Sequence, residues 1–332
     1  MIAAVILTML LLIGWYAYER RARSSRPVSP GRQAQQVPYS DTWELYHNDL
    51  SLCSKKTRIC LAELGIEYRS HHVDLIETGS YENISRAHLR LNPAGTVPVL
   101  VHEGHPIYES HEQILYAAEH SAPGFSLIPA DPAEREIMAT WVHMTSLLGD
   151  DPIAGLKETM GNAVPGLTVP LFAAMIADIP YRHIVQGLLF HPDRIRPLLF
   201  IHLKRIGLRG LSADSRLVRL IGRSRDALHQ HLDVLEHALA TSGGPWNVGA
   251  QFSLADVGMM AILERLREAD WLDEFLLDSR PLVRQYWHAM VTRPSYVAEL
   301  EKHRHPTVER GFARLVEEKS TNPALRAALH GS

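Results

Sequence analysis

Cysteine is scarce in this 332-residue chain, with only Cys53 and Cys60 present. That count excludes a disulfide scaffold and a cysteine-rich zinc module, and it suits a reducing compartment. Net basic charge is missing as well. The chain has 34 Lys and Arg against 37 Asp and Glu, a formal charge of −3, so the basic excess typical of nucleic-acid binding is absent and no nucleic-acid partner is expected. No Gly-x-Gly-x-x-Gly, Walker loop or Gly-x-Ser-x-Gly occurs, which removes the support for dinucleotide, nucleotide and nucleophile-elbow sites. Histidine is plentiful at 19 residues, but its spacing does not make a metal site. His71 and His72 are adjacent on a strand-like run and point to opposite faces. His229 and His231 diverge on a helix, and no His-Glu-x-x-His is present. No metal is expected. With 46% apolar and 21% charged residues the composition is globular, and the length suits two domains.

The near-zero average conceals segregated charge. Glu19 to Arg32 holds five Arg and one Glu, and Arg182 to Arg225 holds ten Lys or Arg and two Asp. Two basic zones on an otherwise acidic chain point to a membrane surface. Ile2 to Tyr18 is free of charge over 17 residues and ends in Trp15, Tyr16 and Tyr18, with Arg20, Arg21, Arg23 and Arg26 following. This length is at the lower limit for a span, and the aromatic residues and Arg fit an interfacial belt on the cytoplasmic side. A cleaved signal peptide or a mis-assigned start is the alternative. A signal peptide carries positive residues before the apolar run and a small-x-small site after it, and neither is present. The expectation is a single-pass anchor over residues 1–18, an exposed Pro- and Ser-rich linker over 19–40, and a soluble body on the cytoplasmic side.

From Asp41 to about Ala122 the pattern is that of a small α/β domain. Trp43–His47 and Tyr68–Leu75 read as strands around a helix, whose apolar positions Ile59, Leu61, Ala62 and Leu64 lead into Gly65. A short helix over Ile84–Leu91, strands at Val97–Val101 and His105–Tyr108, and a helix over Ser110–His120 complete a βαβαββα order, that of a thioredoxin-like fold.

Within it, Ser51-Leu52-Cys53-Ser54-Lys55-Lys56-Thr57-Arg58 resembles the Ser-x-Cys-Ser-x-x-x-Arg segment that opens the first helix of zeta-like glutathione transferases. Asn92-Pro93-Ala94-Gly95-Thr96-Val97-Pro98 resembles the family's Asn-Pro-x-x-x-Val-Pro segment, and Glu109-Ser110 its acidic-plus-Ser pair. Each motif alone is weak, and the three in this order and spacing are strong. The Ser-x-Cys-Ser segment and Ile128-Pro129-Ala130-Asp131-Pro132 are also similar to the family's reductive dehalogenases. Its ganglioside-induced differentiation-associated members have a long helical-domain insertion and a membrane span, but C-terminally.

The resemblance implies a glutathione site. Helix N-termini favour a thiolate, and a hydroxyl of Ser51 or Ser54 can donate to it. Val97, before a cis Pro98, would present its backbone to the cysteinyl unit. Ser110 would hold the γ-glutamyl carboxylate and Glu109 its ammonium. Ser51 and Cys53 are the catalytic candidates, with Ser54, Val97, Pro98, Glu109 and Ser110 binding glutathione. Ser54 reads equally well as a helix cap. Lys55 and Lys56 beside Cys53 would favour its thiolate, and Cys60 reads as core.

An all-helical domain follows over about 129–316. Amphipathic spacing over Pro132–Leu148 and Leu217–Ala240, and a Ser253-x-x-Asp256 capping box, mark its helices. The capping box serves folding, and the tail over 317–332 is expected to fray. A basic insertion over 151–215 is unusual for the family. Its Ala163–Pro180 run is broken by Pro165, Pro170 and Pro180 and contains Asp178, which argues against a second span. Residues 184–211 mix Leu, Phe and Ile with Arg and Lys, so they read as an interfacial membrane segment or as a lid over an apolar-substrate pocket.

The resulting expectation is a glutathione transferase-fold enzyme with glutathione as co-substrate and a small apolar electrophile as partner. Transfer, reductive dehalogenation and isomerisation are its candidate reactions. Membrane contact through residues 2–18, and through 184–211 on the interfacial reading, accompanies it, with a homodimer implied by the family. The alternative is a catalytically weak member of the fold that binds a membrane or a protein.

Overall fold

The computed structural model describes residues 1–122, 126–149, 151–191 and 193–330; Pro123–Phe125, Asp150, Pro192 and Gly331–Ser332, which fall within or beside the segments read above, lie outside the description. Helix α1 (Ile2–Ala22) comes first and buries none of its residues. The strands are β1 (Gly31–Arg32), β2 (Trp43–His47), β3 (Arg69–His72), β4 (Val99–His102) and β5 (His105–Tyr108), with α2 (Leu52–Glu63), α3 (Arg86–Leu91) and α4 (Ser110–Glu119) between and after them. They form one sheet in the order β1-β5-β4-β2-β3, in which only β2 and β3 run parallel.

The sheet explains why the segment expected to be an exposed linker is docked instead. Along β4, Leu100 points to one face while Val99 and Val101 point to the other. The first face belongs to the main core with residues of α2 and α4. The second would be bare, but Val28 and Val37 pack on Val99, Val101 and Tyr108. Backbone bonds fasten the segment, from Arg26 N–H to Pro93 O at 2.8 Å, Gln33 N–H to Pro106 O at 2.8 Å and Val37 N–H to Gly104 O at 2.8 Å. Gly31 and Arg32 pair with Tyr108 and Ile107 and so cover an edge of the sheet.

The helical part comprises α5 (Pro132–Met144), α6 (Met160–Met175), α7 (Tyr181–Phe190), α8 (Ile195–Leu211), α9 (Ser215–Thr241), α10 (Leu254–Glu268), α11 (Leu272–Phe275), α12 (Pro281–Val291), α13 (Pro294–Tyr296), α14 (Pro306–Thr321) and α15 (Pro323–His330). Helix α10 is its axis, with Leu254, Val257, Met260, Ala261 and Leu263 fully buried. Asp256 caps it from a buried position, accepting from the N–H of Ser253 at 2.7 Å and of Asn247 at 2.9 Å. The apolar run rejected as a span is α6, a continuous helix despite Pro165 and Pro170, lying inside the protein against α8, α9 and α14. Tertiary burial outweighs the local cost of the prolines there.

Helices α7 and α8 fold back on the loop between β3 and α3. His183 Nδ1 is bonded to Gly79 O at 2.7 Å, and Arg196 pairs with Glu77. A Cβ at Gly187 would lie 2.4 Å from the Tyr81 ring, so this approach requires glycine.

Up to His330 the tail is helical and does not fray. Helix α14 runs on to Thr321, and α15 buries Leu325 and Leu329, with Arg225 Nη1 donating to Leu329 O at 3.1 Å. We expect Leu325→Ala to lower stability by about 2–5 kcal/mol, the usual range for a fully buried leucine, as measured by urea unfolding. An unchanged unfolding midpoint would mean that α15 does not belong to the core.

Candidate functional site

Helix α2 places the predicted residues. Ser51 is its N-cap and accepts the Ser54 N–H on its Oγ at 3.2 Å, which leaves the hydroxyl proton free to donate outward. Leu52 and Cys53 occupy the first turn, whose N–H groups have no partner within the helix. Cys53 is half-buried and its thiol is free. Ser54 is not the cap, which is Ser51. Ser54 is fully buried, and its Oγ accepts the Asn48 N–H at 3.3 Å, locking the loop before the helix.

Lys55 departs from expectation, and Lys56 keeps its link to the Cys53 sulfur. Both are buried and turned towards the helical domain, where Lys55 pairs with Glu268 and Lys56 donates to Thr145 O. Burial pushes each ammonium down to about 8. For Glu268, burial is outweighed by Lys55 and Arg265, which hold its carboxyl below the ordinary range. Lys55 is therefore committed to a domain contact, while the Cys53 sulfur acts on Lys56 by favouring its charged form.

The Val97–Pro98 bond is cis. The loop before it is pinned from behind, since Asn92 Nδ2 donates to Thr96 O at 2.9 Å, Asn83 Nδ2 to Gly95 O at 2.8 Å, and His88 Nε2 is bonded to Thr96 O at 3.0 Å. Among the described residues, no hydrogen bond engages the backbone of Val97. Gln113 ties this loop to the two helices. Its amide accepts from Thr57 Oγ1 at 2.8 Å and donates to Pro98 O at 3.0 Å and Ile107 O at 2.8 Å. Sequence reading missed Gln113 and Thr57, because polar residues inside a helical pattern carry no local sign of a distant partner.

Glu109 caps α4 with φ at +67°, in the left-handed region that non-glycine residues rarely occupy. Its side chain is exposed, and Ser110 beside it is buried at the first turn. Backbone strain of this kind costs about 1–3 kcal/mol and tends to be kept at functional positions. The α2 N-terminus, the open Val97 backbone and the α4 N-terminus thus belong to one hydrogen-bonded framework. Clefts of about 440 Å³ by Gly155 and Arg223, and 530 Å³ by Leu272 and Arg284, have none of these residues in their walls.

A histidine cluster also escaped sequence reading. His72, Asp74 and His305 bring ligand atoms within 4.8 Å of one another, joining β3 to the start of α14. His305 Nδ1 already accepts the Thr307 N–H at 3.2 Å, which puts the neutral ring's proton on Nε2 and opposes metal binding there. His71 faces the other way, bonded to Glu44 at 2.8 Å.

Residues 50–120 match the glutathione S-transferase N-terminal domain, and 219–287 the glutathione S-transferase C-terminal domain. The chain therefore carries both domains of a glutathione S-transferase. It is a glutathione transferase-like enzyme. It is 29% identical to glutathione S-transferase TCHQD of Arabidopsis thaliana, over 76% of this chain and 87% of that one. It is 27% identical to tetrachloro-p-hydroquinone reductive dehalogenase of Sphingobium chlorophenolicum, over 76% of this chain and 93% of that one. In fold it matches a beta-etherase from Sphingobium sp. strain SYK-6 with a TM-score of 0.60 and 22% identity, covering 79% of this chain and all of that one.

Behind α2, His47 is buried and must stay neutral. Its Nδ1 faces Arg58 Nη1 at 3.2 Å and its Nε2 lies 2.7 Å from Ser70 Oγ. Burial first, then Arg58, push its pKa down to about 3, against the nearby Asp49. The unfolded chain therefore binds one more proton than the folded one between about pH 6.5 and pH 3, and stability falls as pH drops through that window. We expect His47→Gln to remove one proton's worth of this slope, about 1.4 kcal/mol per pH unit, in urea unfolding at stepped pH. Replacing Gln113 by Met should cost about 1–3 kcal/mol for each buried carbonyl left without a donor. The same variant should raise the dissociation constant for glutathione, and unchanged binding by titration would separate this framework from the site.

Proposed function

We propose that this protein is a membrane-anchored enzyme that joins or exchanges a glutathione thiolate with a small apolar electrophile. The observation that carries the reading is the pairing of a first-turn thiol, Cys53, and a capping hydroxyl, Ser51, with the open backbone of Val97. Glutathione fits this donor set: Val97 offers antiparallel backbone bonds, Ser110 and the α4 N-terminus a carboxylate site, and Glu109 a partner for an ammonium. Ser54 and Pro98 support it from behind rather than touching it.

Ser51 donates to the glutathione sulfur, and the first-turn N–H groups favour its thiolate. Attack on an electrophilic carbon forms a carbon–sulfur bond and releases the leaving group with its bonding pair. Where an adduct must be reduced, the Cys53 thiolate attacks the adduct sulfur. A Cys53–glutathione disulfide forms, and the electron pair of the broken carbon–sulfur bond stays on carbon, which takes a proton. A second glutathione thiolate then frees Cys53, leaving oxidised glutathione. The reductive dehalogenases among the relatives favour this route, and isomerisation of an unsaturated diacid is a variant without the Cys53 step.

Helix α1 supports the anchor. It is apolar all round and its large side chains lie exposed, with Leu7 at 59% and Leu11 at 65%. A helix of that character requires either a protein core or a bilayer, and among the described residues no core covers it. Arg20 and Arg21 after it favour a cytoplasmic body. Dimerisation remains part of the family reading, with β1 covering one sheet edge.

The test is thermal unfolding of the full chain in detergent, with and without glutathione. Ligand at about 100 times its dissociation constant should stabilise the protein by roughly 2.7 kcal/mol. Ser110→Ala should abolish the shift. Cys53→Ala should keep the shift and glutathione transfer but stop reductive dehalogenation of a halogenated hydroquinone. No shift with wild type at saturating glutathione would refute the enzyme reading.

A further inference from the structure

The face of α7 and α8 beside the anchor carries apolar side chains that the fold does not use. On α7, Tyr181, Val185 and Leu189 recur at i, i+4 and i+8, a single stripe, and all three are exposed. On α8, Ile195 and Leu198 continue the pattern at 78% and 55% exposure, followed along the same face by His202 and Arg205. The opposite face does the packing: Ile184, Gly187, Phe190, Phe200 and Leu203 are buried against the body. The exposed stripe is therefore a second apolar surface, distinct from any inward-facing lid. Single exposed apolar residues are ordinary, but five on two consecutive helices are not.

The geometry of α1 says what covers this stripe. Helix α1 touches the body through its aromatic end. Trp15 and Tyr16 pack on Phe190 with ring centroids 6.4 and 5.9 Å away, the Tyr16 hydroxyl donates to Leu189 O at 3.3 Å, and Arg23 stacks on Phe190 at 4.8 Å. Below it, Arg86 stacks on Tyr18 at 4.6 Å and pairs with Glu19, so the junction is held at several points. Trp and Tyr at the end of a span sit at the level of the lipid headgroups. Phe190 is then at that level too, and so is Leu189, whose carbonyl meets Tyr16; Ile195 begins the next helix five residues after Phe190. Arg182 and Arg205, on the same two helices, and Arg20 and Arg21, at the end of α1, are exposed and suit lipid phosphates.

We propose that the exposed stripe of α7 and α8 lies in the headgroup region of an anionic bilayer, so that the body rests on the membrane through the insertion and not by the anchor alone. This inference rests on the anchor reading above. Once α1 is in the bilayer the second contact is effectively intramolecular, so a modest surface suffices.

The test uses the full chain in phosphatidylcholine–phosphatidylserine vesicles, photolabelled with an aryl diazirine dissolved in the bilayer and mapped by peptide mass spectrometry. Label is expected both in residues 2–14 and in the peptides spanning 183–204. In the double variant Leu189→Asp/Leu198→Asp, both sites being exposed, the 183–204 label should fall to background while that in 2–14 stays and the thermal midpoint is unchanged. Label in 2–14 without label in 183–204 would overturn the proposal and leave the anchor standing, as would 183–204 label that survives the double substitution. No label in 2–14 would remove the anchor and the proposal with it.

Discussion

Everything near the site depends on how α2 is held between the two parts of the protein. Four successive side chains, Lys55, Lys56, Thr57 and Arg58, are polar and buried. Each has a partner beyond its own helix: Glu268, Thr145 O, Gln113 and Glu299 O. Arg265 returns the contact by donating to Leu50 O, and Arg293 grips Glu63 at the other end of α2 through bonds of 2.7 and 2.6 Å. Removing one member of a buried charged pair typically costs 3–5 kcal/mol, because the other is left uncompensated. Such a helix has one orientation, and the Ser51–Cys53 end inherits it.

This clamp also explains what the sequence could and could not reveal. Strand and helix periodicity, the Gly65 stop and the Ser253–Asp256 cap depend on neighbours within a few residues, and they were legible; the prolyl segment at Val97–Pro98 was legible only through the family resemblance. The uses of Lys55, Lys56 and Gln113 depend on Glu268, Thr145 and Pro98, which no spacing rule connects to them. Proximity along the chain therefore put both lysines beside the Cys53 thiol, whereas the fold turns both into the interface and leaves Lys56, not Lys55, linked to that sulfur. Ser54 misled for the same reason, since its partner Asn48 lies on the loop side of the helix start.

The docked segment before Asp41 and the last helix make a related point. Pro27, Pro30 and Pro38 do discourage a helix there, and none forms. Yet a segment without a helix is not a free one. Val28 and Val37 have an apolar sheet face to cover, and Gly31 and Arg32 have an open strand edge to pair with. Leu325 and Leu329 similarly follow a helix that looked complete at Val316, but they fill space beside α9 that their own local pattern does not announce.

Contacts run without a break from α1 to the candidate site. Phe190 meets α1, Gly187 three residues earlier meets Tyr81, and His183 is bonded to Gly79. Thr78, next to Gly79, accepts from Asn48 Nδ2 at 2.9 Å, and the Asn48 N–H is the one that Ser54 accepts. Contiguity of this kind positions groups, but it makes a switch only where some element has two arrangements of similar energy. Here Asn48 is buried and holds Val73 O, Thr78, Leu50 N–H and Ser54 together in one arrangement. The insertion therefore acts as a bracket between α1 and the α2 N-terminus. With α1 in a bilayer, as proposed above, it would set where the α2 N-terminus stands relative to the lipid surface, the coordinate that matters for a substrate arriving from an apolar phase.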